Sequence, residues 1–322
     1  MKTKQPLSET ELIDWLLDGD VAIQYQVERD LLGHERTDLR GRIATEGWGA
    51  QFLQRRQPEG HWARGFYSPK WTSSHYTLLD LKHLNITPEH PLIRESVARI
   101  WRERKAEDGG INPAQSIKNS DVCINGMFLN YATYFGADAA ALESIVDFLI
   151  TMQMPDGGFN CQSNRQGAVH SSLHTTLSVL EGIHEYKVNG YTYRLAELQT
   201  IAHQSREFIL QHRLFRSDHT GAIIKPQFLV LSFPSRWYYD ILRALEYFGE
   251  ANTGYDPRLQ DAVDVLFNKR RPDGTWPLQS PHPGEVHFVM EKAGQPSRWN
   301  TLRALRTLKR LHLSATPGTD HE

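Results

Sequence analysis

A carboxylate, a thiol and an imidazole occur at corresponding places in two consecutive segments of this chain. Asp121 and Cys123 open one apolar segment, and His174 opens the next, 51 residues after Cys123. Zinc accepts all three side-chain types, and three protein ligands leave one open position, which is the pattern of catalytic zinc sites. Such an ion binds an incoming thiol and lowers its pKa, producing a thiolate nucleophile. The sequence therefore predicts that these residues act through a bound zinc ion, provided that the fold brings the two segments together.

A repeat is the element that must position these side chains. A turn-like cluster with a central glycine recurs five times, and each copy is followed by an apolar stretch with helical periodicity. The glycines lie between 48 and 64 residues apart. A period of this size indicates one supersecondary unit copied in tandem. The five glycines are Gly60, Gly109, Gly157, Gly221 and Gly274.

Apolar periodicity predicts two helices in each unit. The more apolar helices are expected near 72–85, 121–136, 170–185, 235–249 and 297–312, and the second helices near 94–104, 140–153, 195–212 and 257–268. Residues 8–33 add an N-terminal helix pair, and 223–233 is the one strand-like stretch.

These helices favour a closed ring over an open array. Half of them are too apolar for an exposed surface, and aromatic wedges follow several turns, as at Trp62, Phe159 and Trp276. We therefore predict an all-α protein, an α/α toroid, with one domain over residues 1–314 and a disordered tail over 315–322. In a ring, the starts of neighbouring inner helices meet at one end, where Asp121, Cys123 and His174 would converge.

Composition excludes several classes of function. The 322-residue chain has a net charge of −2, so a nucleic-acid partner is not expected. No apolar run approaches the ~18 residues of a membrane span, and the first residues lack the apolar core of a secretory signal. Two cysteines make no disulfide framework and fit a reducing cytoplasm.

The turn clusters carry a family resemblance. Gln57-Pro58-Glu59-Gly60-His61-Trp62 and the clusters at 153–159 and 272–276 resemble repeats of the α/α-toroid superfamily, which includes squalene–hopene-type terpene cyclases and protein prenyltransferase β subunits. The resemblance covers roughly residues 45–312. The Asp-x-Cys at 121–123 and the His-Thr at 174–175 are similar to the zinc residues of those β subunits, and Lys118 matches a lysine that contacts isoprenoid diphosphate. The resemblance implies a zinc-dependent prenyltransferase-like or cyclase-like enzyme.

The chain also departs from that family. The family arginine before the aspartate is Gln115, the tyrosine after the zinc cysteine is Ile124, and other pocket aromatics are Met127 and Leu173. These differences argue against a protein C-terminus as substrate and favour an apolar, isoprenoid-like or thiol-bearing small molecule. We expect a cavity that is apolar in its depth, with zinc and Lys118 near one mouth. Its expected substrate-binding residues are Lys118, His75, Tyr76, Met127 and Trp237.

A second interpretation needs no metal. A toroid can also be a carbohydrate-active enzyme with a pair of carboxylates, or a binding scaffold without chemistry. The candidate acids are Asp80, Asp121, Glu181 and Asp240. Cys161, close after the third turn, is interpreted as a packing residue. The basic residues before the inner helices could together form a cationic rim, but each taken alone is interpreted as solvated or as bound to a helix C-terminus; they are Arg64, Lys70, Arg236 and Arg298.

Overall fold

The computed structural model describes residues 6–114, 117–162 and 166–314, and almost all of its regular structure is helical. The tail predicted over 315–322 lies outside the described residues. The α-helices, in chain order, are α1 (Glu9–Leu17), α2 (Val21–Gln26), α3 (Thr37–Arg42), α4 (Gly47–Leu53), α5 (Ser74–His83), α6 (Pro91–Arg104), α7 (Val122–Tyr134), α8 (Ala139–Thr151), α9 (Leu173–Val188), α10 (Leu195–Gln211), α11 (Ile241–Glu250), α12 (Gln260–Asn268) and α13 (Arg298–Arg310). A π-helical segment, Val27–Leu32, continues α2.

Short elements complete the chain. Two-residue strands β1 (Trp276–Pro277) and β2 (Pro296–Ser297) pair antiparallel, with Trp276 opposite Ser297. The stretch 223–233, expected to resemble a strand, instead contains a 3₁₀ turn over Pro226–Leu229 and one isolated bridge between Ile223 and Arg216. That expectation was wrong because no other strand in the described part of the chain lies beside this segment to supply a ladder of hydrogen bonds.

The predicted repeat glycines share one backbone conformation. All five have φ between +70° and +90°, a region that residues with a Cβ rarely adopt. In each unit, the turn leads into an aromatic or aliphatic residue. In four of the units, the backbone N–H of this residue donates to a side chain near the start of the next inner helix, at 2.7 to 2.9 Å. The pairs are Trp62 with Ser74, Ile111 with Asn125, Phe159 with Thr176, and Trp276 with Thr301. These bonds dock the turns at the same end of the helices.

The inner helices form a closed ring. In order around it, α5, α7, α9, α11 and α13 pack each against the next, and α13 packs against α2 and its π-helical continuation. Arg306 of α13 donates to Gln26 Oε1 at 2.7 Å, and Gln26 Nε2 donates to the carbonyl of His83 at the end of α5. The N-terminal pair therefore supplies the sixth inner helix, and the all-α toroid is confirmed by this chain's own contacts.

Burial separates the two helical layers. Nearly every residue of α7 from Val122 to Thr133 is buried, whereas α6 buries only Ile93, Ser96, Val97 and Ile100, which lie on one face. This difference is that between a helix enclosed on all sides and an amphipathic surface helix. Among the described residues, no helix has the length and apolar character needed to cross a bilayer.

Two glycines bring α7 and α9 into backbone contact. A Cβ added to Gly182 would lie 2.4 Å from the carbonyl oxygen of Gly126, and one added to Gly126 would lie 2.7 Å from that of Ser178. Glycine at both positions lets the two backbones touch. The contact fixes the relative position of the two helices whose first turns carry Cys123 and His174.

Candidate functional site

The first turns of α7 and α9 face one open cavity of about 780 Å³, which we call the thiol cavity. Its other walls come from the end of α10, the fourth turn and the segment that leads into α11. Across this end of the ring, residues of the segment before α13 contact α5 and the lead-in to α11: His287 bonds to Thr77 Oγ1 at 2.9 Å, and His282 stacks on Tyr238. The chemically relevant lining residues are Tyr67, Lys70, Asp121, Cys123, Cys161, His174, Thr175, Lys225, Phe228 and Trp237.

Asp121, Cys123 and His174 all line this cavity, as their equivalent repeat positions predict. Asp121 is the N-cap residue of α7, and Cys123 lies in the first turn of the same helix. His174 is the second residue of α9, and its ring packs against Trp237 and Phe228 at centroid distances of 5.1 and 5.2 Å.

His174 is held in a defined tautomer. Its Nδ1 accepts the backbone N–H of Tyr239 at 2.8 Å. Burial lowers the pKa of His174 to about 4, and the nearby cations Lys225 and Arg243 act in the same direction. The imidazole is therefore neutral at pH 7, and its proton must reside on Nε2 because Nδ1 is an acceptor. Nε2–H is a hydrogen-bond donor on the cavity wall.

These three residues do not fit a zinc ion in this arrangement. A neutral histidine binds metal through its unprotonated nitrogen, and in His174 the Tyr239 N–H occupies that nitrogen. Among the described residues, no group of three or more His, Cys, Asp or Glu side chains is arranged to hold a metal ion. Zinc in the purified protein stays a prediction.

A second thiol lies beside Cys123. Cys161 Sγ accepts the backbone N–H of Cys123 at 3.0 Å and the Thr175 hydroxyl at 3.5 Å. Side-chain hydrogen bonding between the two thiols lowers the pKa of the Cys161 thiol, with burial opposing it, and raises the pKa of Cys123 well above its ordinary value. The interpretation of Cys161 as a packing residue therefore missed a paired thiol on the cavity wall.

The other predicted substrate residues are placed differently. Trp237 lines the thiol cavity, but Met127 and Tyr76 are fully buried in the core and Lys118 is exposed outside the lining. His75 is fully buried, and its Nδ1 bonds to the Tyr131 hydroxyl at 3.2 Å. Burial alone lowers the pKa of His75 to about 3, so it is a neutral packing histidine.

The cations expected before the inner helices have separate roles. Arg298 donates to the Trp15 carbonyl near the C-terminus of α1, as expected, and Arg236 is buried against Asp80. Lys70 stays at the rim of the thiol cavity. Lys225, which the sequence did not single out, lies on the cavity wall from the 3₁₀ side.

The axis of the ring holds charges rather than apolar side chains. A second cavity of about 320 Å³, the axial cavity, is lined by the cations Arg29, Lys82, Arg243, Arg303, Arg306 and Arg310 and by the carboxylates Glu181, Glu185, Glu246 and Glu250. Arg243 pairs with Glu181 at 2.6 Å, and Arg303 pairs with Glu246 at 2.9 Å. The expectation of a cavity that is apolar in its depth is wrong here, because inner helices present ion pairs to the axis.

The acids of the carbohydrate interpretation do not come together. Asp121 lines the thiol cavity and Glu181 the axial cavity, whereas Asp80 and Asp240 are buried outside both linings. Asp240 caps α11 by accepting the backbone N–H of Arg243 at 2.9 Å. A pair of carboxylates across one substrate is therefore not formed by these residues.

Asp80 offers a pH test of the buried network. Burial raises the pKa of Asp80 to about 6, against the opposing effect of the Arg236 guanidinium. A carboxyl with a raised folded pKa favours folding at low pH, and that contribution is lost as pH rises from ~4 to about 6. We expect an infrared carboxylic-acid C=O band to appear on acidification through pH 6 and to be missing in Asp80→Asn. A band that appears only near the ordinary aspartate pKa of ~4 would contradict this assignment.

Comparison with solved structures finds a likeness to a type II terpene cyclase from Scytonema, determined in complex with geranylgeranyl dihydroxybenzoate as substrate. The identity is 13%, the TM-score is 0.43, and the likeness covers 91% of this chain and 88% of that chain. No protein-family model matches the chain, and no curated protein matches it in sequence. The toroid assignment accordingly rests on the ring of helix contacts described above.

Proposed function

We propose that this toroid is a prenyltransferase-like or cyclase-like enzyme acting on a small molecule with an apolar body and an anionic head, bound in the thiol cavity. One observation carries the proposal: two lysines that have no carboxylate partner among the described residues stand beside an aromatic wall. Within that part of the chain neither Lys70 nor Lys225, both exposed at the cavity, forms an ion pair; the lysine that does is Lys82, with Glu185.

The lysines are positioned to receive an anion. Lys70 Nζ lies 5.7 Å from the ring centre of Trp237 and 5.9 Å from that of Tyr67. Lys225 Nζ lies 5.9 Å from the ring centre of Phe228. Both lysines are exposed at the cavity, where their ammonium groups can donate charge-assisted hydrogen bonds to a phosphate-like group. The Nε2–H of His174 supplies an additional neutral donor at the same wall.

The aromatic wall suits the apolar part of such a ligand. Phe228 is buried, Trp237 is half-buried, and the volume of about 780 Å³ lies within the range of small-molecule sites. Aromatic faces also stabilise positive charge. They can therefore stabilise the cation that develops on an apolar chain when its anionic head departs, with the two lysines as counter-charges for the leaving anion.

The proposal predicts a lysine-dependent affinity for isoprenyl diphosphates. Titration calorimetry should show farnesyl diphosphate binding the wild type, and farnesol, which lacks the diphosphate, binding at least ~10-fold more weakly. Lys70→Ala and Lys225→Ala should each weaken diphosphate binding about 10-fold, because a hydrogen bond to a charged group contributes ~1.5–3 kcal/mol. Lys292→Ala is the matched control, since Lys292 is exposed and outside the cavity lining.

Lys118→Ala distinguishes the anion site proposed from the structure from the one that the family resemblance implies. Lys118 matches the family's diphosphate lysine in sequence but lies outside the thiol-cavity lining. Full affinity in this variant, with weak binding in the Lys70 and Lys225 variants, supports the site proposed here. Loss of binding in Lys118→Ala alone would refute it and place the anion elsewhere.

A further inference from the structure

The only two cysteines of the chain meet at the wall of the thiol cavity. Cys161 follows the third turn, and Cys123 lies in the first turn of α7. Cys161 Sγ is 3.0 Å from the backbone nitrogen of Cys123. Both are free in this structure.

The surroundings favour a reactive sulfur at Cys161. The first turn of α7 directs the Cys123 N–H at Cys161 Sγ, and the Thr175 hydroxyl donates from α9. Helix N-termini and hydrogen-bond donors stabilise a thiolate relative to a thiol. The sulfur has no such donors in an ordinary buried packing cysteine.

Both cysteines border open space. Each residue is half-buried, and both line the cavity of about 780 Å³. A tripeptide-sized thiol or disulfide can therefore reach Cys161 from the cavity, provided that its negative charges meet the lysines at the rim rather than the carboxylates.

We propose that Cys123 and Cys161 form a redox-active dithiol that exchanges with small disulfides of the glutathione type in the thiol cavity. The Cys161 thiolate attacks one sulfur of the small disulfide, its S–S bond breaks, and one small thiolate leaves and takes up a proton. Cys123 then loses its proton and attacks the Cys161 sulfur of the mixed disulfide. The second small thiol leaves as the Cys123–Cys161 disulfide forms.

The electrons of this exchange balance. The protein dithiol loses two electrons and two protons, and the small disulfide gains them to become two thiols. The new disulfide would join the start of α7 to the loop after the third turn. It would therefore cross-link two adjacent segments of the cavity wall.

The test is oxidation of the wild-type protein with excess oxidised glutathione, followed by intact-mass measurement without reductant. We expect an intramolecular disulfide, two hydrogen atoms lighter than the dithiol, with no retained glutathione. Cys123→Ser should instead trap one glutathione on Cys161, because the resolving thiol is missing. Cys161→Ser should react at least ~10-fold more slowly, since the Cys123 N–H and the Thr175 hydroxyl donate to Cys161 Sγ and not to the Cys123 thiol.

Other results would overturn the inference. Wild-type protein that carries two glutathiones, or keeps both thiols free, contradicts a dithiol pair. So does a stoichiometric metal ion that must be chelated before either thiol reacts, since it would restore the metal interpretation. The reactivity of the dithiol does not depend on the proposed function. Binding of farnesyl diphosphate and formation of the disulfide are separate measurements, and either can fail alone.

Discussion

Replacing Glu246 with glutamine is expected to lower the free energy of unfolding by about 3 kcal/mol or more. Glu246 of α11 accepts hydrogen bonds from both Arg303 and Arg306 of α13, and all three side chains are largely buried. Glutamine removes the charge and leaves two guanidinium groups under-compensated. Breaking a buried pair from one side typically costs ~3–5 kcal/mol. Chemical denaturation of the two proteins measures the difference.

The same variant should change the acid sensitivity of the protein. Burial raises the pKa of Glu246, but Arg303 and Arg306 outweigh it and lower the pKa to about 2. A carboxyl with a depressed folded pKa stabilises the fold above its unfolded pKa of ~4.3, and this contribution is lost as pH falls towards ~2. Glu246→Gln should therefore lose less stability than the wild type between about pH 4.3 and about pH 2.

The control for this experiment is an exposed pair. Glu103 forms an i,i+4 salt bridge with Arg99 on α6, and its side chain is 47% exposed. Glu103→Gln should change the free energy of unfolding by no more than ~0.5 kcal/mol. Equal effects of the two substitutions would mean that the axial network does not stabilise the ring.

Replacing Gly182 with alanine is expected to push two inner helices of the ring apart. The added Cβ would lie 2.4 Å from the Gly126 carbonyl oxygen, so α9 must move away from α7. Overpacking of this kind costs ~1–3 kcal/mol and sometimes more, and here the obstacle is backbone that cannot rotate aside. We expect a loss of about 3 kcal/mol in the free energy of unfolding, together with weaker ligand binding because the two helices carry the cavity wall.

Gly41→Ala is the matched substitution. Gly41 lies in α3, where an added Cβ would have no atom within 4 Å and the backbone is ordinary helix. Alanine there should be neutral or should stabilise by up to ~1 kcal/mol, because alanine is the better helix former. A Gly182→Ala protein as stable as Gly41→Ala would show that the α7–α9 contact is looser than described.

The fold could be predicted from the sequence because of the repeat. Each turn glycine needs a positive φ, and each turn is followed by a buried wedge such as Trp62 or Trp276, so the same constraints recur along the chain. The predicted inner helix near 121–136 begins and ends within two residues of α7. The predicted helix near 235–249 starts six residues before α11 does. The segment before α11 has the apolar composition of a helix, but it is not helical and contributes Trp237 to the cavity wall.

The ion pairs that line the axial cavity could not be predicted from the sequence. Arg303 and Arg306 on α13 and Glu246 on α11 resemble surface residues in the sequence, because periodicity ranks them by polarity alone. The closed ring, in which Arg306 donates to Gln26 of α2, is what shows that the polar faces of α11 and α13 point at one another. Apolar patterning identifies which helices are enclosed, but it does not identify what fills the space between them.

The candidate site could be predicted only in part. Equivalent repeat positions placed Asp121, Cys123 and His174 around one cavity. The orientation of His174 depends on the Tyr239 backbone, 65 residues away, which no spacing reveals. Cys161 lies in a loop without periodicity, and its contact with Cys123 arises from the docking of the third turn on α9.

A crystal structure with a non-hydrolysable isoprenyl thiodiphosphate would locate the anion site directly. We expect the diphosphate between Lys70 and Lys225 at the rim of the thiol cavity, with the apolar chain against Trp237 and Phe228. Ligand density in the axial cavity, or at Lys118, would contradict it.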